Sequence, residues 1–310
     1  MFTSKHFQKE LESSLQTVQG QIGIYAQHIP SKNIYIHNHQ QRFWMASTYK
    51  IPMAIYCLTL IQQGTLSLEQ PLKIKSTYIR TGSDIIKNDP TLINTEMTLA
   101  KLIRLMMEYS DNTATDIILK LIGGPQAVTD FVRSIGIQEM DVNRTILRSF
   151  ADYMGLPNIP DNEELTLKEY FAIEKSISIE QQEITKANCI KNRDNRDTAT
   201  PEAMGHLLLK LVTGELLNES LRDYLLNCMQ VCKTGKARMR ALLPQEAKVA
   251  QKTGTIAGVV NDAGLIEFPN GIDKLILVIY VDDHLTSVDA KESVIANIAS
   301  IFYKEIKNNC

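Results

Sequence analysis

The chain has 310 residues, 44% hydrophobic and 22% charged, enough apolar side chains for a full core. Its 33 basic and 35 acidic side chains leave a net charge of −2, which gives no reason to expect nucleic acid or an anionic membrane as partner. No apolar run approaches the roughly 18 residues of a membrane span, so none is expected.

The opening MFTSKHFQKELESSLQTV lacks the continuous apolar stretch and small-residue cleavage site of a signal peptide. Phe7, Leu11, Leu15 and Val18 recur at helical spacing, so it reads as an amphipathic helix. Either the protein stays in the cytoplasm or an export signal has been removed. QIGIYAQHI (21–29) and NIYIHNHQQRFW (33–44) alternate like strands and are joined at Pro30-Ser31-Lys32, which suits a hairpin. Trp44, which ends that segment just before the next helix, reads as core. A helix is predicted from about Ser47 to Gln63, stopping at Gly64.

The middle, about 98–230, is mostly helical, with apolar faces over 99–109 and 113–124, the second ending at Gly-Gly-Pro. Residues 150–195 are polar and contain Pro157 and Pro160, and read as a long loop with one helix at 165–176. Thr200, Pro201 and Glu202 are the N-cap, first position and first-turn acid of another helix. Strands return at 248–258, 261–268 and 274–282, and a helix over 288–307 closes the chain. The pattern predicts an α/β fold: an antiparallel sheet built from both chain ends and flanked by helices, plus an all-helical subdomain. As one catalytic unit, the α/β part covers about 1–46 and 205–310. The helical part covers about 47–204, including a long loop over 145–197.

Five cysteines at irregular spacing (Cys57, Cys189, Cys228, Cys232, Cys310) are not a disulfide framework. Cys228 and Cys232 read as one buried helix face. His28, His37 and His39 lie close in sequence but lack a third convergent ligand and a supporting shell, so no metal is expected. No phosphate-binding or dinucleotide glycine loop is present, and no cofactor is expected.

Three short motifs carry chemistry. In Ser47-Thr48-Tyr49-Lys50 the serine and lysine are three apart, neighbours on one helix face, so the amine can act as base to the hydroxyl. A second cation nearby lowers the pKa of such a lysine. Ser110-Asp111-Asn112 offers a second hydroxyl and an amide between two helices, though Ser, Asp and Asn are also ordinary N-caps. Lys252-Thr253-Gly254-Thr255 lies in a strand-like run, where a glycine marks close approach by a ligand or another backbone. Each is common alone; together and in this order they are specific.

On these motifs the chain resembles the class A β-lactamase family. The likeness extends through QIGIYA, MTLAKLIRLM, SDNTATDIILKLIGGP, RDTATPEAM, RMRALLP and KTGTIAGVVNDAG. The resemblance implies Ser47 as nucleophile, Lys50 as proton acceptor or relay, and Ser110, with Lys252, as the route of the proton to the departing nitrogen. It implies Asn112 for the substrate's side-chain amide, Thr253, Thr255 and Arg238 for its carboxylate, and the Ser47 and Thr255 N–H groups for an oxyanion. It also implies an Arg144–Asp197 ion pair closing the loop beneath the site. The implied substrate is a small β-lactam or a D-Ala-D-Ala-like peptide, the implied state a monomer, and the family's usual place is the periplasm or outside the cell.

The likeness breaks at one point. The family has a glutamate shortly after the arginine, which activates the water that clears the acyl-enzyme. Here Ile146 falls on that position; counted back from RDTATP, Ile184 does, beside Glu183. Glu183, Glu180, Asp194 or Asp152 could replace it from a remodelled loop. The alternatives are a D-alanyl-D-alanine peptidase or esterase of the same fold, and a β-lactam sensor that stays acylated.

Overall fold

The computed structural model describes residues 2–83, 85–192 and 194–309; Cys310 lies outside them. α1 (Lys5–Leu15) starts at a Ser4 N-cap that accepts from the Phe7 amide. It is followed by β1 (Gln21–His28), β2 (Ile34–His37), β3 (Phe43–Trp44) and α2 (Lys50–Gln62). Then come β4 (Pro71–Lys73), β5 (Glu96–Thr98), α3 (Leu99–Glu108), α4 (Asn112–Leu121) and α5 (Gly124–Ser134). The chain continues through α6 (Ile146–Met154), α7 (Leu167–Lys175), α8 (Ile179–Lys191), β6 (Thr198–Ala199), α9 (Pro201–Val212) and α10 (Glu219–Gln230). It ends with β7 (Lys248–Ile256), β8 (Val259–Glu267), β9 (Lys274–Asp282) and α11 (Val288–Asn309).

The main sheet has the order β2-β1-β9-β8-β7 and is antiparallel throughout, so the first strands of the chain pair with the last, as expected. Alternation sorts its side chains. Ile22, Ile24, Leu277 and Ile279 join Phe7 and Leu11 of α1 and Ile298 and Phe302 of α11 in one core. Tyr25, Val278 and Tyr280 face the other way, against α9, in a core continuous with α2 to α5. β7 is an edge strand, and its free side meets the turn before α2. That junction of sheet edge and helical layer is where the three motifs meet.

Three expectations need correction. The 33–44 segment is not one strand: β2 ends at His37, and β3 pairs instead with β6. Gly-Gly-Pro ends α4 but also starts α5, since Pro125 has no N–H to lose in a first turn. The 150–195 stretch holds most of α6 and all of α7 and α8, not one helix in a loop. α6 ends on Gly155 in the left-handed region (φ 70°), and α7 begins with a full Thr166–Glu169 capping box.

Cys228 is buried on α10, whereas Cys232 is buried just beyond its end, so the two do not share a helix face. Cys57, Cys189, Cys228 and Cys232 are free thiols. His28 is buried between Asp273 (Nε2 to Oδ1, 2.9 Å) and Ser31 (Nδ1 to Oγ, 2.8 Å), tying the β1–β2 turn to the β8–β9 turn. His39 lies 3.8 Å from Glu202. No described helix is long and apolar enough to cross a membrane.

Candidate active site

Ser47 sits in a 3-10 turn, Ala46–Tyr49, that runs directly into α2. The turn is held from several sides. Asn261, fully buried on β8, donates from Nδ2 to the carbonyls of Trp44 (2.7 Å) and Met45 (3.2 Å). The Met45 N–H donates to the Asp197 carbonyl at 2.9 Å. The Thr48 hydroxyl donates to the Met45 carbonyl at 2.7 Å. Within this frame Ala46 takes φ 46°, a left-handed conformation that a side chain disfavours and that the surrounding bonds impose.

Gly254 lets β7 pass this turn. A Cβ there would lie 2.6 Å from the Met45 oxygen and 3.0 Å from the Ser47 nitrogen. The glycine in the strand thus marks close approach of backbone to backbone.

Lys50 and Lys252 are both fully buried and converge on one hydroxyl. Ser110 Oγ lies 3.1 Å from Lys50 Nζ and 3.0 Å from Lys252 Nζ. Lys50 also donates to the Ser110 carbonyl (2.7 Å) and to Asn112 Oδ1 (2.8 Å), and Lys252 donates to the Thr253 carbonyl (3.0 Å). Lys50 therefore points at the Ser110–Asn112 loop; its hydrogen bonds do not include the Ser47 hydroxyl, the partner the spacing suggested. Ser110 is itself left-handed (φ 60°), and Asp111 caps α4 by accepting from Ala114 N.

Burial dominates both lysines. It pulls Lys50 well below the usual lysine range, with further lowering by the Lys252 charge that Asp111 and Asp116 partly oppose. Burial likewise lowers Lys252 to about 8. Two amines that share a hydroxyl and hold their protons weakly can pass a proton through it.

The remaining sequence candidates surround this centre unequally. Ser47, Asn112 and Thr255 line a cavity of about 410 Å³. Asn112 spends its Nδ2 on the Thr81 carbonyl at 2.7 Å. Thr253 is buried against Thr234, hydroxyl to hydroxyl at 2.6 Å. Arg238, 4% exposed, lies behind the strand, donating to Glu292, to the Gly254 and Asn261 carbonyls, and to Thr255 Oγ1 at 2.6 Å. Of these side chains, the exposed Thr255 hydroxyl is the one Arg238 presents to the cavity.

Arg144 and Asp197 are paired, Nε to Oδ2 at 2.6 Å, and Asp197 Oδ1 also accepts from the backbone of Asn143 and Arg144. Of the four acids considered as water activators, Asp194 alone lines the cavity. It is bound by Arg196 through Nε (2.8 Å) and N (2.9 Å). Asp152 accepts from Arg144 and Arg196. Glu183 is exposed and paired with Lys186, and Glu180 is exposed in the first turn of α8. Ile146 lines the wall, its N–H held by Asp116 Oδ1 at 2.7 Å.

The wall residues Tyr153 of α6 and Thr185 of α8 were not anticipated from the sequence, nor was Tyr49, within the first motif, as part of the lining. Trp44, expected in the core, also lines the cavity.

A family model described as the β-lactamase enzyme family matches residues 6–306. Among curated proteins, Beta-lactamase SME-1 of Serratia marcescens is 29% identical over 93% of this chain and 87% of its own length. Beta-lactamase CTX-M-8 of Citrobacter amalonaticus is 30% identical over 95% and 87%, respectively. Among solved structures, a β-lactamase from Chitinophaga pinensis superposes with a TM-score of 0.79 at 24% identity, over 97% of this chain and all of that one.

Proposed function

This chain belongs to the β-lactamase enzyme family and is a serine hydrolase of the class A β-lactamase type, and from that premise we propose that it opens β-lactam rings through an acyl-enzyme on Ser47. The observation that carries the proposal is the Ser110 hydroxyl held between the nitrogens of Lys50 and Lys252 beside the Ser47 turn.

Lys50, its free amine favoured by burial and by the Lys252 charge, takes the Ser47 proton as Oγ attacks the lactam carbonyl. The backbone N–H groups of Ser47 and Thr255 stabilise the oxyanion. The lactam C–N bond breaks, and the nitrogen takes a proton through the Ser110 hydroxyl from the lysine pair. Thr255, oriented by Arg238, and Thr253 bind the substrate carboxylate, and Asn112 its side-chain amide. In a second step water breaks the ester. The carboxylates on the cavity wall among the described residues, Asp194 and Asp197, are each engaged by an arginine. This supports slow deacylation, so that the acyl-enzyme accumulates.

Intact-mass measurement after mixing with a penicillin tests this. The expected result is a penicilloyl adduct that forms quickly, is absent from Ser47→Ala, and clears slowly with release of penicilloic acid. Absence of both adduct and hydrolysis would overturn the proposal. A permanent adduct would favour a sensor, and release of D-alanine from a D-Ala-D-Ala peptide would favour a peptidase.

A further inference from the structure

One face of α6 walls the cavity into which Ser47 opens. Ile146, Phe150 and Tyr153 are spaced 4 and 3 apart, so they share that face, and all three line the cavity. The helix is apolar on its other side too, where Leu147 and Ala151 are buried in a small core with Tyr170 of α7. Phe150 and Tyr153 are only half-buried, so two aromatic rings remain partly against water. Apolar surface gathered in a concave site marks a ligand-binding wall. The wall from α8 differs in kind, with Thr185, Asn188 and Cys189.

A single close approach ties the α6 wall to the reacting centre. A Cβ at Gly82 would lie 3.0 Å from both Asn112 Nδ2 and the Phe150 ring at Cζ, and Gly82 takes φ 98°. The bare glycine lets the Asn112 amide and the Phe150 ring stand side by side. Asn112 in turn accepts from Lys50 Nζ at 2.8 Å. The ring sits on a pinned helix: Thr145 caps the start of α6, and Asp116 accepts from the amides of Ile146 (2.7 Å) and Leu147 (3.2 Å). A substrate arm whose amide meets Asn112 therefore has the Phe150 ring beside its next atoms. The cavity, about 410 Å³, has room for such an arm.

We propose that Phe150 is a specificity-determining residue that seats an aromatic ring on the substrate's acylamino arm, so that the preferred substrates are β-lactams bearing an aryl-acyl side chain. The inference rests on acylation of Ser47 with Asn112 holding the side-chain amide. A ring on the arm takes its own apolar surface and that of Phe150 out of water. Two rings also gain from offset or edge-to-face contact beyond the area they bury, which an alkyl arm does not offer. A β-lactam nucleus with a bare amine leaves the α6 wall uncovered and gains none of this. The contact forms when the substrate binds and touches none of the reacting atoms, so it changes affinity rather than the chemical step.

The test follows Ser47 acylation by time-resolved intact mass over a range of concentrations of two compounds, a phenylacetyl penicillin and 6-aminopenicillanic acid, which has no acyl arm. The full chain is compared with Phe150→Ala, Phe150→Leu and Phe150→Tyr. Phe150→Ala should lower acylation efficiency with the phenylacetyl compound about tenfold, through a higher half-saturating concentration at an unchanged limiting rate. Phe150→Leu, apolar but without a ring, should lower it about threefold, and Phe150→Tyr, which keeps the ring, should stay within about twofold of wild type. With the bare nucleus all three should stay within about twofold. Should Phe150→Ala not fold, the Leu and Tyr variants decide by the same comparison. Equal slowing with both compounds, or a fall in limiting rate alone, would assign Phe150 a structural role and overturn the proposal. An unchanged efficiency with the phenylacetyl compound would also overturn it, while leaving Ser47 acylation intact. Absence of any wild-type adduct with either compound would remove the acylation reading, and this inference with it.

Discussion

Gly254 and Ser47 are in backbone contact: a Cβ on the glycine would stand 3.0 Å from the serine nitrogen and 2.6 Å from the Met45 oxygen behind it. Both neighbours are main chain, in a turn already tied to β8 by Asn261, so neither can rotate away. Gly254→Ala must push the edge strand outward, carrying Lys252 and Thr255 from Ser110 and Ser47. A displacement of about 1 Å costs on the order of 100-fold in rate. Adduct formation with a penicillin should fall by about that factor while circular dichroism stays native. An unchanged rate would mean that the strand does not set the geometry at Ser47.

Lys252 makes stability depend on pH with a definite sign. Its folded pKa, about 8, lies below the ordinary 10.5, mainly because of burial. Between those values the unfolded chain binds more protons, so this group makes stability rise with pH through the window and holds its full penalty below it. The penalty is on the order of 3 kcal/mol. Lys252→Met should therefore be more stable than wild type at pH 7 and lose that advantage by pH 10.5. Urea unfolding at both values checks this, with the difference between proteins removing the contribution of other groups. Asp262 acts oppositely: burial raises it to about 7, so its contribution is present below pH 4 and lost as pH rises to 7. Asp262→Asn should flatten the wild-type slope there.

The candidate site was legible because its motifs are local. Ser47 and Lys50 share one turn, Ser110 and Asn112 flank one helix start, and Lys252 to Thr255 occupy one strand. The sheet was legible because β1, β8 and β9 are long and largely apolar and β7, more polar, carries the third motif. The helices of 146–191 were less so, since hydrophobic period was the guide and α8 buries none of its residues. Their caps were nonetheless in the sequence: Thr166 with Glu169, Ser178 as an N-cap, and Gly155 as a stop. The burial of Arg238 behind β7 depends on Glu292 of α11, 54 residues away, which local pattern does not reveal.

Asp197 ties the start and end of this helical segment together. It accepts from the Arg144 side chain and from the backbone amides of Asn143 and Arg144, and its own carbonyl accepts from Met45, two residues before Ser47. Arg144 is 11% exposed, so Asp197→Ala leaves a largely buried cation with only Asp152. The expected loss is roughly 2–4 kcal/mol by urea unfolding, below the full 3–5 of a buried pair because Asp152 remains. The Arg144→Ala, Asp197→Ala double variant should lose less than the two single losses combined, showing coupling. Simple additivity would mean that the pair contributes nothing as a pair.

Ile146 offers the reverse experiment, a gain of chemistry. It lines the cavity that Ser47 opens into, 7% exposed, with its backbone fixed by Asp116. In the resemblance to class A enzymes, Ile146 is also where the water-activating glutamate falls when counted forward from Arg144, whereas counting back from RDTATP gives Ile184. Ile146→Glu introduces a carboxylate whose burial raises its pKa toward the range of a useful base. Burying that group should cost roughly 1–3 kcal/mol of stability. Penicilloyl-adduct lifetime should shorten about 100-fold, within the usual range for a positioned general base, while adduct formation changes little. An unchanged lifetime in a folded Ile146→Glu protein would show that this stretch of wall does not face the ester, and that water reaches the acyl group from another side.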